Sequence, residues 1–453
     1  MLVRFGTGSY QHRSLPLSAQ RMVHCYLEIA PPGAKSPVAV VSSYGIDDWT
    51  TAGAGPIRGG LVVNGAPFVV SGNSLYRLNS DRSATLLGAI PGEDLVSMAG
   101  DGANIAVAAN GSLYIYNGSN VTQVTDPDFP GAACVGFLDG FFPIIEPGSG
   151  RIWINETPYV PTNWNALDFV TAEGAPDDLL WQVISHREIF AFGRETTEVL
   201  YNSGDADTPL RRTDSGFIEI GIMSAHAAAS TDNGIGFVGN DGLIYLLRGY
   251  QPERISTYAV EQAIESYEDK SSVAMSFTEG GHKMLAFHFA EGTWVYDLST
   301  QLWHERLSTG HTRWRPQIAL QAFGQTLVGD YSSNRIGMLD YRRLAEWGEV
   351  LRQSCTAPSI ADENRQIFHG SLELQFEQGV GTLETPDPQV MIDWSDDGGR
   401  TWSNEHWRSL GAMGAFKSRA VCRRMGRARD RVYRYAITDK VRRTLIQAIW
   451  EGD

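Results

Sequence analysis

The segment Pro67-Phe-Val-Val-Ser-Gly-Asn-Ser-Leu-Tyr-Arg-Leu78 decides the fold. Apolar and branched residues run to Val70, Ser71-Gly72-Asn73 turns the chain, and Ser74 to Leu78 returns with alternating character. Gly and Asn tolerate the positive φ that tight hairpin turns demand, so the segment reads as a β-hairpin.

The pattern recurs. The returning strand has further copies at Ser112-Leu-Tyr-Ile-Tyr116, Arg151-Ile-Trp-Ile-Asn155, Thr197-Glu-Val-Leu-Tyr201, Leu243-Ile-Tyr-Leu-Leu247, Thr293-Trp-Val-Tyr-Asp297 and Arg335-Ile-Gly-Met-Leu339. Hairpin partners precede them, among them Asn104-Ile-Ala-Val-Ala108, Glu188-Ile-Phe-Ala-Phe192, Gly234-Ile-Gly-Phe-Val238, Met284-Leu-Ala-Phe-His288 and Thr326-Leu-Val-Gly329. A spacing of roughly 38 to 50 residues is that of propeller blades. One four-stranded blade cannot bury both of its faces, whereas a closed ring packs each blade between two others. The expectation is an all-β chain with a β-propeller over residues 51–345, of seven blades, or six if a terminal copy belongs to a flanking domain. Helical signal is confined to connections: two turns over Ala259 to Tyr267 and a short exit helix over Tyr341 to Trp347.

Residues 1–50 carry Pro16, Pro31, Pro32 and Pro37 and no blade pattern, so they read as an extended N-terminal arm. Beyond residue 346 the strands lengthen: Ser371 to Phe376, Gln389 to Trp394, Arg431 to Ile437 and Thr444 to Trp450 alternate in period two. Residues 346–453 are therefore expected to form a C-terminal antiparallel β-sandwich.

Composition agrees. Glycine supplies 48 of 453 residues without a G-X-Y period, which favours many tight turns. The formal charge of -15 opposes bulk attraction to nucleic acid or anionic membrane. Cys25, Cys134, Cys355 and Cys422 form no CxxC pair and read as buried thiols from a reducing compartment. The opening residues lack an apolar signal core, and no apolar run reaches the roughly 20 residues of a spanning helix. No membrane insertion is expected, and the chain reads as made in a cytoplasm.

Ser395-Asp-Asp-Gly-Gly-Arg-Thr-Trp402 matches the S-x-D-x-G-x-T-W pattern of the Asp box, with Ser395, Asp397, Gly399 and Trp402 as its members. Its chemistry is structural: the carboxylate accepts turn N–H groups, glycine supplies positive φ and the Trp packs under the hairpin. The carboxylate pairs Asp47-Asp48, Asp177-Asp178 and Asp396-Asp397 point to opposite faces of any strand, so they cannot flank a sugar as a glycosidase pair does. His282 and His288, or His304 and His311, could meet in space, but nothing in the spacing requires it. There is no G-x-S-x-G, Walker or dinucleotide-binding motif. No catalytic residue, cofactor or metal is expected, and the chain does not read as an enzyme.

Residues 400–443 hold thirteen basic side chains against Glu405, Asp430 and Asp439, a local charge of +10. Phosphate contact, pairing with acidic surfaces of neighbouring chains and a plain solvated face are all open readings. Arg423, Arg424, Arg427, Arg429 and Arg431, in a hairpin-like turn, are the candidate inter-subunit contacts.

Both ends carry a resemblance. Ser9-Tyr10, Ser14-Leu15, Ala19-Gln-Arg21, Tyr26-Leu-Glu28, Gly33-Ala-Lys35 and Gly45-Ile46 resemble the opening of the packaged-DNA stabilisation proteins of short-tailed bacteriophages. Ile392 to Ser403, Arg408-Ser-Leu-Gly411 and Arg423 to Arg434 resemble that family's terminal block. The resemblance implies a structural virion protein of the tail: a hexameric hub or nozzle below the portal and its adaptor ring, with tail fibres, tailspikes or a needle beneath. It would retain packaged double-stranded DNA, conduct it during ejection, and be assembled in the bacterial host cytoplasm. The alternative is a carbohydrate-binding or sialidase-like propeller, suggested by the Asp box and by Trp164, Trp303 and Trp314 taken as exposed.

Overall fold

A computed structural model describes residues 1–172, 174, 177–205, 209–363 and 365–453. Each of the seven signature segments is the third strand of a four-stranded antiparallel unit. Blade one comprises Ile57–Val63, Ala66–Ser71, Ser74–Leu78 and Ala84–Ala89; blade two Ser97–Gly100, Ile105–Ala109, Ser112–Tyr116 and Val121–Gln123. Blade three comprises Cys134–Val135, Ile144–Ile145, Arg151–Trp153 and Phe169–Thr171; blade four Leu179–Ser185, Glu188–Gly193, Thr197–Asn202 and Leu210–Ile218. Blade five comprises Ala228–Thr231, Gly234–Val238, Ile244–Arg248 and Gln251–Arg254; blade six Ser272–Glu279, His282–Phe289, Gly292–Asp297 and Leu302–Glu305.

The last copy departs from this plan. Pro316–Ala322, Gln325–Asp330 and Arg335–Asp340 take their fourth strand, Gly45–Thr51, from the N-terminal segment. The expectation of seven blades within 51–345 is thereby corrected: six blades are continuous in the chain, and a composite sheet closes the ring. In that sheet Leu339 pairs with Ile46 and Arg335 with Thr51. The innermost strands pack blade against blade in order, and Pro316–Ala322 meets Ile57–Val63 to complete the circle.

The blades cohere because their middle strands are apolar on both faces. Ile105–Ala109 and Gly234–Val238 are buried at every position, as a strand covered on two sides requires. Phe192 and Phe237, with centroids 5.2 Å apart, join blades four and five. Closure rests on Ile46, 1% exposed, and on the carbonyl of Arg343, which lies 2.0 Å from where a Cβ on Gly45 would stand. Only glycine admits that approach. Ile46→Ala is expected to cost about 2–5 kcal/mol. Native-state hydrogen exchange should then rise first in the amides of residues 316–340, the strands that lose their outer partner.

The N-terminal segment is not a free arm, which corrects the second expectation. Leu2–Val3 pairs with the C-terminal strand Leu445–Gly452, and Val38–Ser42 meets that strand at Val40. Cys25–Ile29 pairs with Val38–Ser42. Ala19–Val23 is shared: it pairs antiparallel with Gln353–Thr356 and touches blade six at Glu305 in parallel. The sandwich thus stacks a sheet built on Ile367–Phe376, Ala420–Arg423 and Leu445–Gly452 against one built on Gln353–Thr356, Gln389–Ser395, His406–Ser409 and Asp430–Ile437. Val3, Phe5, Met22, Cys25 and Leu27 lie in one core with Leu372, Tyr433, Tyr435 and Trp450. All four cysteines are buried thiols.

A helix forms over Tyr258–Ser266, between blades five and six. The expected exit helix does not. Asp340 accepts the N–H groups of Arg342 and Arg343, and the chain turns into the short strand Ala345–Glu346 beside Gly45–Thr51. Among the described residues no helix is long and apolar enough to cross a membrane.

Candidate assembly surfaces

The Asp box closes the turn after Gln389–Ser395. Asp397 accepts the Ser395 hydroxyl at 2.6 Å, the Thr401 hydroxyl at 2.6 Å and the N–H groups of Arg400 and Thr401 at 2.9 Å. Those donors, Ser395 foremost, hold its carboxyl well below the usual carboxylate range. Gly399 sits at φ +98° and donates to the Ser395 hydroxyl. Trp402 is half-buried under the Arg434 guanidinium, 3.9 Å from its ring centre.

The other carboxylate pairs are engaged separately. Asp47 faces Arg343, and Asp48 takes the Arg335 fork. Asp177 accepts the N–H groups of residues 194 to 196, while Asp178 pairs with Arg194. Asp396 receives both arms of Arg431 at 2.5 and 2.7 Å. The histidines are likewise apart in role. His288 and His304 are buried, which pushes their pKa values well down, and His311 meets the Tyr331 hydroxyl. No group of three or more His, Cys, Asp or Glu that could hold a metal exists among the described residues.

Trp164, Trp303 and Trp314 are not exposed, which corrects the reading behind the glycan alternative. Each is 3% exposed or less, and each indole N–H is used internally, on Pro161, Ile255 and Glu346. Trp164 packs on Phe129 and Trp303 on Phe287 and Tyr296, so these rings fill the interior of the blades rather than a surface.

The basic stretch divides by tertiary position. Arg431 is 2% exposed, forks onto Asp396 and donates to the Met425 carbonyl at 2.7 Å, so its assignment as an inter-subunit contact is corrected to an internal one. Arg419, Arg434 and Arg442 pair with Glu373, Asp393 and Glu377. Arg423, Arg424, Arg427 and Arg429 are exposed, and no side-chain partner holds them among the described residues. Their turn is anchored by backbone bonds from Arg424 to Gly370 and from Met425 to His369.

An axial channel of about 580 Å³ runs through the ring, lined by the innermost strands of all six blades and the closing sheet. Among the described residues its lining holds no carboxylate, and its one guanidinium, Arg58, donates to the carbonyls of Gly72, Ile90 and Asp94. The loops through which the chain enters successive blades are different. Glu93, Asp94, Asp128, Glu219 and Glu268 are exposed on them.

At the seam between propeller and sandwich, His282 of blade six lies between two carboxylates, Asp297 at 2.7 Å and Glu28 of Cys25–Ile29 at 2.7 Å. Burial pulls its pKa down, but the bonds to Glu28 and Asp297 outweigh that and hold it above the ordinary value. Tyr26, 4.9 Å away between ring centres, and neutral His304 face the same seam. A folded pKa above the unfolded one means stability present in full below about pH 6.5 and lost as pH rises through the folded value. Urea unfolding should therefore show the protein less stable at pH 8.5 than at pH 6, and His282→Gln should reduce that difference.

The fold defines a two-unit protein, a propeller tied by its own N-terminal strands to a β-sandwich. The chain belongs to the bacteriophage P22 Gp10 family: residues 10–343 match the model described as "Bacteriophage P22 Gp10, beta-propeller" and residues 352–451 the one described as "Bacteriophage P22 Gp10, beta-sandwich". That is a family of structural phage proteins of the tail and of DNA stabilisation, and the chain is a phage structural protein. No curated protein matches it. Among solved structures it is similar to the computationally designed Ika8 protein, at 12% identity and TM-score 0.39, over 71% of this chain and 99% of that one. It is also similar to PorZ, a surface component of the type-IX secretion system of Porphyromonas gingivalis, at 10% identity and TM-score 0.41, over 78% and 46%. A third is BBS1N in its complex with ARL6DN, at 13% identity and TM-score 0.41, over 64% and 93%.

Proposed function

We propose that the chain is the hub or nozzle of a short phage tail, a hexameric ring below the portal and its adaptor that retains packaged DNA and conducts it at ejection. The observation that carries this is the family match over both units, which together span nearly the whole chain. Two physical features support it. A propeller sealed by its own N-terminal strand is a rigid wall element, and a chain of net charge -15 repeated about an axis repels passing double-stranded DNA rather than gripping it. Tail fibres, tailspikes or a needle would attach below, and the exposed arginines Arg423, Arg424, Arg427 and Arg429 are the candidate contacts to neighbouring subunits. The protein acts without catalysis, cofactor or membrane insertion, in a virion tail assembled in the host cytoplasm.

Light scattering and electron microscopy of the purified chain, alone and mixed with portal–adaptor complexes, test the reading. A sixfold ring seated on the portal side is expected. A monomer that ignores those complexes would overturn it.

A further inference from the structure

The sandwich adjoins the ring at one place. Ala19–Val23, a sandwich strand, lies beside the outer strand of blade six, and Ala345–Glu346, on the path into the sandwich, lies beside the closing sheet. With six blades and a closing sheet around the axis, blade three stands across the ring from that attachment. The loops that lead into blades two and three, residues 90–96 and 124–133, are thus on the side far from the chain's own sandwich. They expose Glu93, Asp94 and Asp128, and among the described residues none of the three is in an ion pair. Arg58 sits behind Asp94 but is buried and bonded to backbone carbonyls.

The chain therefore has two poles. One is the arginine turn, four exposed guanidinium groups left over after Arg419, Arg431, Arg434 and Arg442 have found carboxylates inside their own chain. The other is the acidic rim on the far side of the propeller. Among the described residues no ion pair joins the two within the chain.

We infer that the arginine turn of each subunit docks on the Glu93, Asp94 and Asp128 rim of the next copy of the same chain, a head-to-tail contact. The inference rests on the ring reading above and adds to it the two surfaces that meet. A contact between two different patches of one chain is heterologous, and it closes into a ring when the rotation per step divides the circle. Planar guanidinium forks suit carboxylates in bidentate pairs, which fix orientation as well as charge. Like charges placed opposite each other forbid the inverted, head-to-head arrangement, so the same residues set polarity. Rim charges act mainly on association, and the contact weakens as salt screens it.

The test is a charge exchange read by sedimentation velocity at low and high salt. The chain carrying Arg423→Glu, Arg424→Glu and Arg427→Glu, and the chain carrying Glu93→Arg, Asp94→Arg and Asp128→Arg, should each lose the ring. One chain carrying all six changes should regain it. Glu265→Arg with Glu268→Arg, on the same propeller face but beside the chain's own sandwich, should leave assembly unchanged. Should the six-fold variant fail to fold, the pair Asp94→Cys and Arg424→Cys in otherwise native rings decides instead, since the native thiols are all buried. Oxidation should give chains joined covalently to their neighbours. A ring that forms unaltered from the Glu93, Asp94 and Asp128 reversal, or assembled Cys-pair rings that yield no intermolecular disulfide, would overturn the inference and leave the ring reading standing. A wild-type chain that never assembles would remove the ring reading itself.

Discussion

Glu279→Ala is expected to lower the unfolding free energy by about 3–5 kcal/mol, the usual cost of stripping one partner from a buried ion pair. Glu279 and Arg306 are both fully buried and meet at 2.9 Å. The guanidinium lies 4.6 Å from the ring centre of Trp314 and 5.0 Å from that of Phe277, so its charge is enclosed by aromatic faces and one carboxylate. Glu279 also accepts the N–H of Tyr44 at 3.0 Å, at the entry to the closing strand Gly45–Thr51. Removing it leaves an uncompensated cation and an unbonded amide at the point where the ring is sealed. The informative partner is the double change Glu279→Leu with Arg306→Met. Replacing a whole buried pair by apolar groups is often neutral or better, so the double variant should recover most of the loss. Thermal unfolding of the two variants checks this; equal loss in both would assign the effect to packing instead.

Arg443→Met is expected to cost a similar amount, about 3–5 kcal/mol, because several buried carbonyls at about 1–3 kcal/mol each lose their donor together. Arg443 is 1% exposed, and burial pushes its pKa down to about 10. It donates to the carbonyls of Leu344 and Leu351 on the path out of the propeller and to those of Thr438 and Asp439 between two sandwich strands. It is one staple between the two units, beside the N-terminal strands. Lysine offers a single ammonium in place of a planar fork, so Arg443→Lys should restore only part of the loss. Denaturant unfolding followed by propeller and sandwich probes should separate into two transitions in Arg443→Met. Coincident transitions would show that the N-terminal strands alone couple the units.

Much of the fold was legible because its signals are local. A hairpin turn such as Ser71-Gly72-Asn73 and the alternation of Ser112–Tyr116 are each complete within a handful of consecutive residues. The Asp box was legible for the same reason: Ser395, Asp397, Gly399 and Thr401 satisfy one another inside one turn. The fate of residues 1–50 was not. Their strands are short, interrupted by proline, and find partners such as Trp450 and Leu339 hundreds of positions away, where no local period records the pairing.

The sequence alone determined the repeat, the all-β class, the turn chemistry and the concentration of arginine near the C-terminus, since each depends on neighbours along the chain. Which strand seals the ring, and which arginines are buried, depends on the tertiary structure alone. Arg431 and Arg443 read like Arg423 and Arg427 in the chain, but the first two are buried against Asp396 and backbone carbonyls, while the last two face solvent. A guanidinium can be buried only where acceptors converge on it, and those acceptors come from segments that the fold alone brings together.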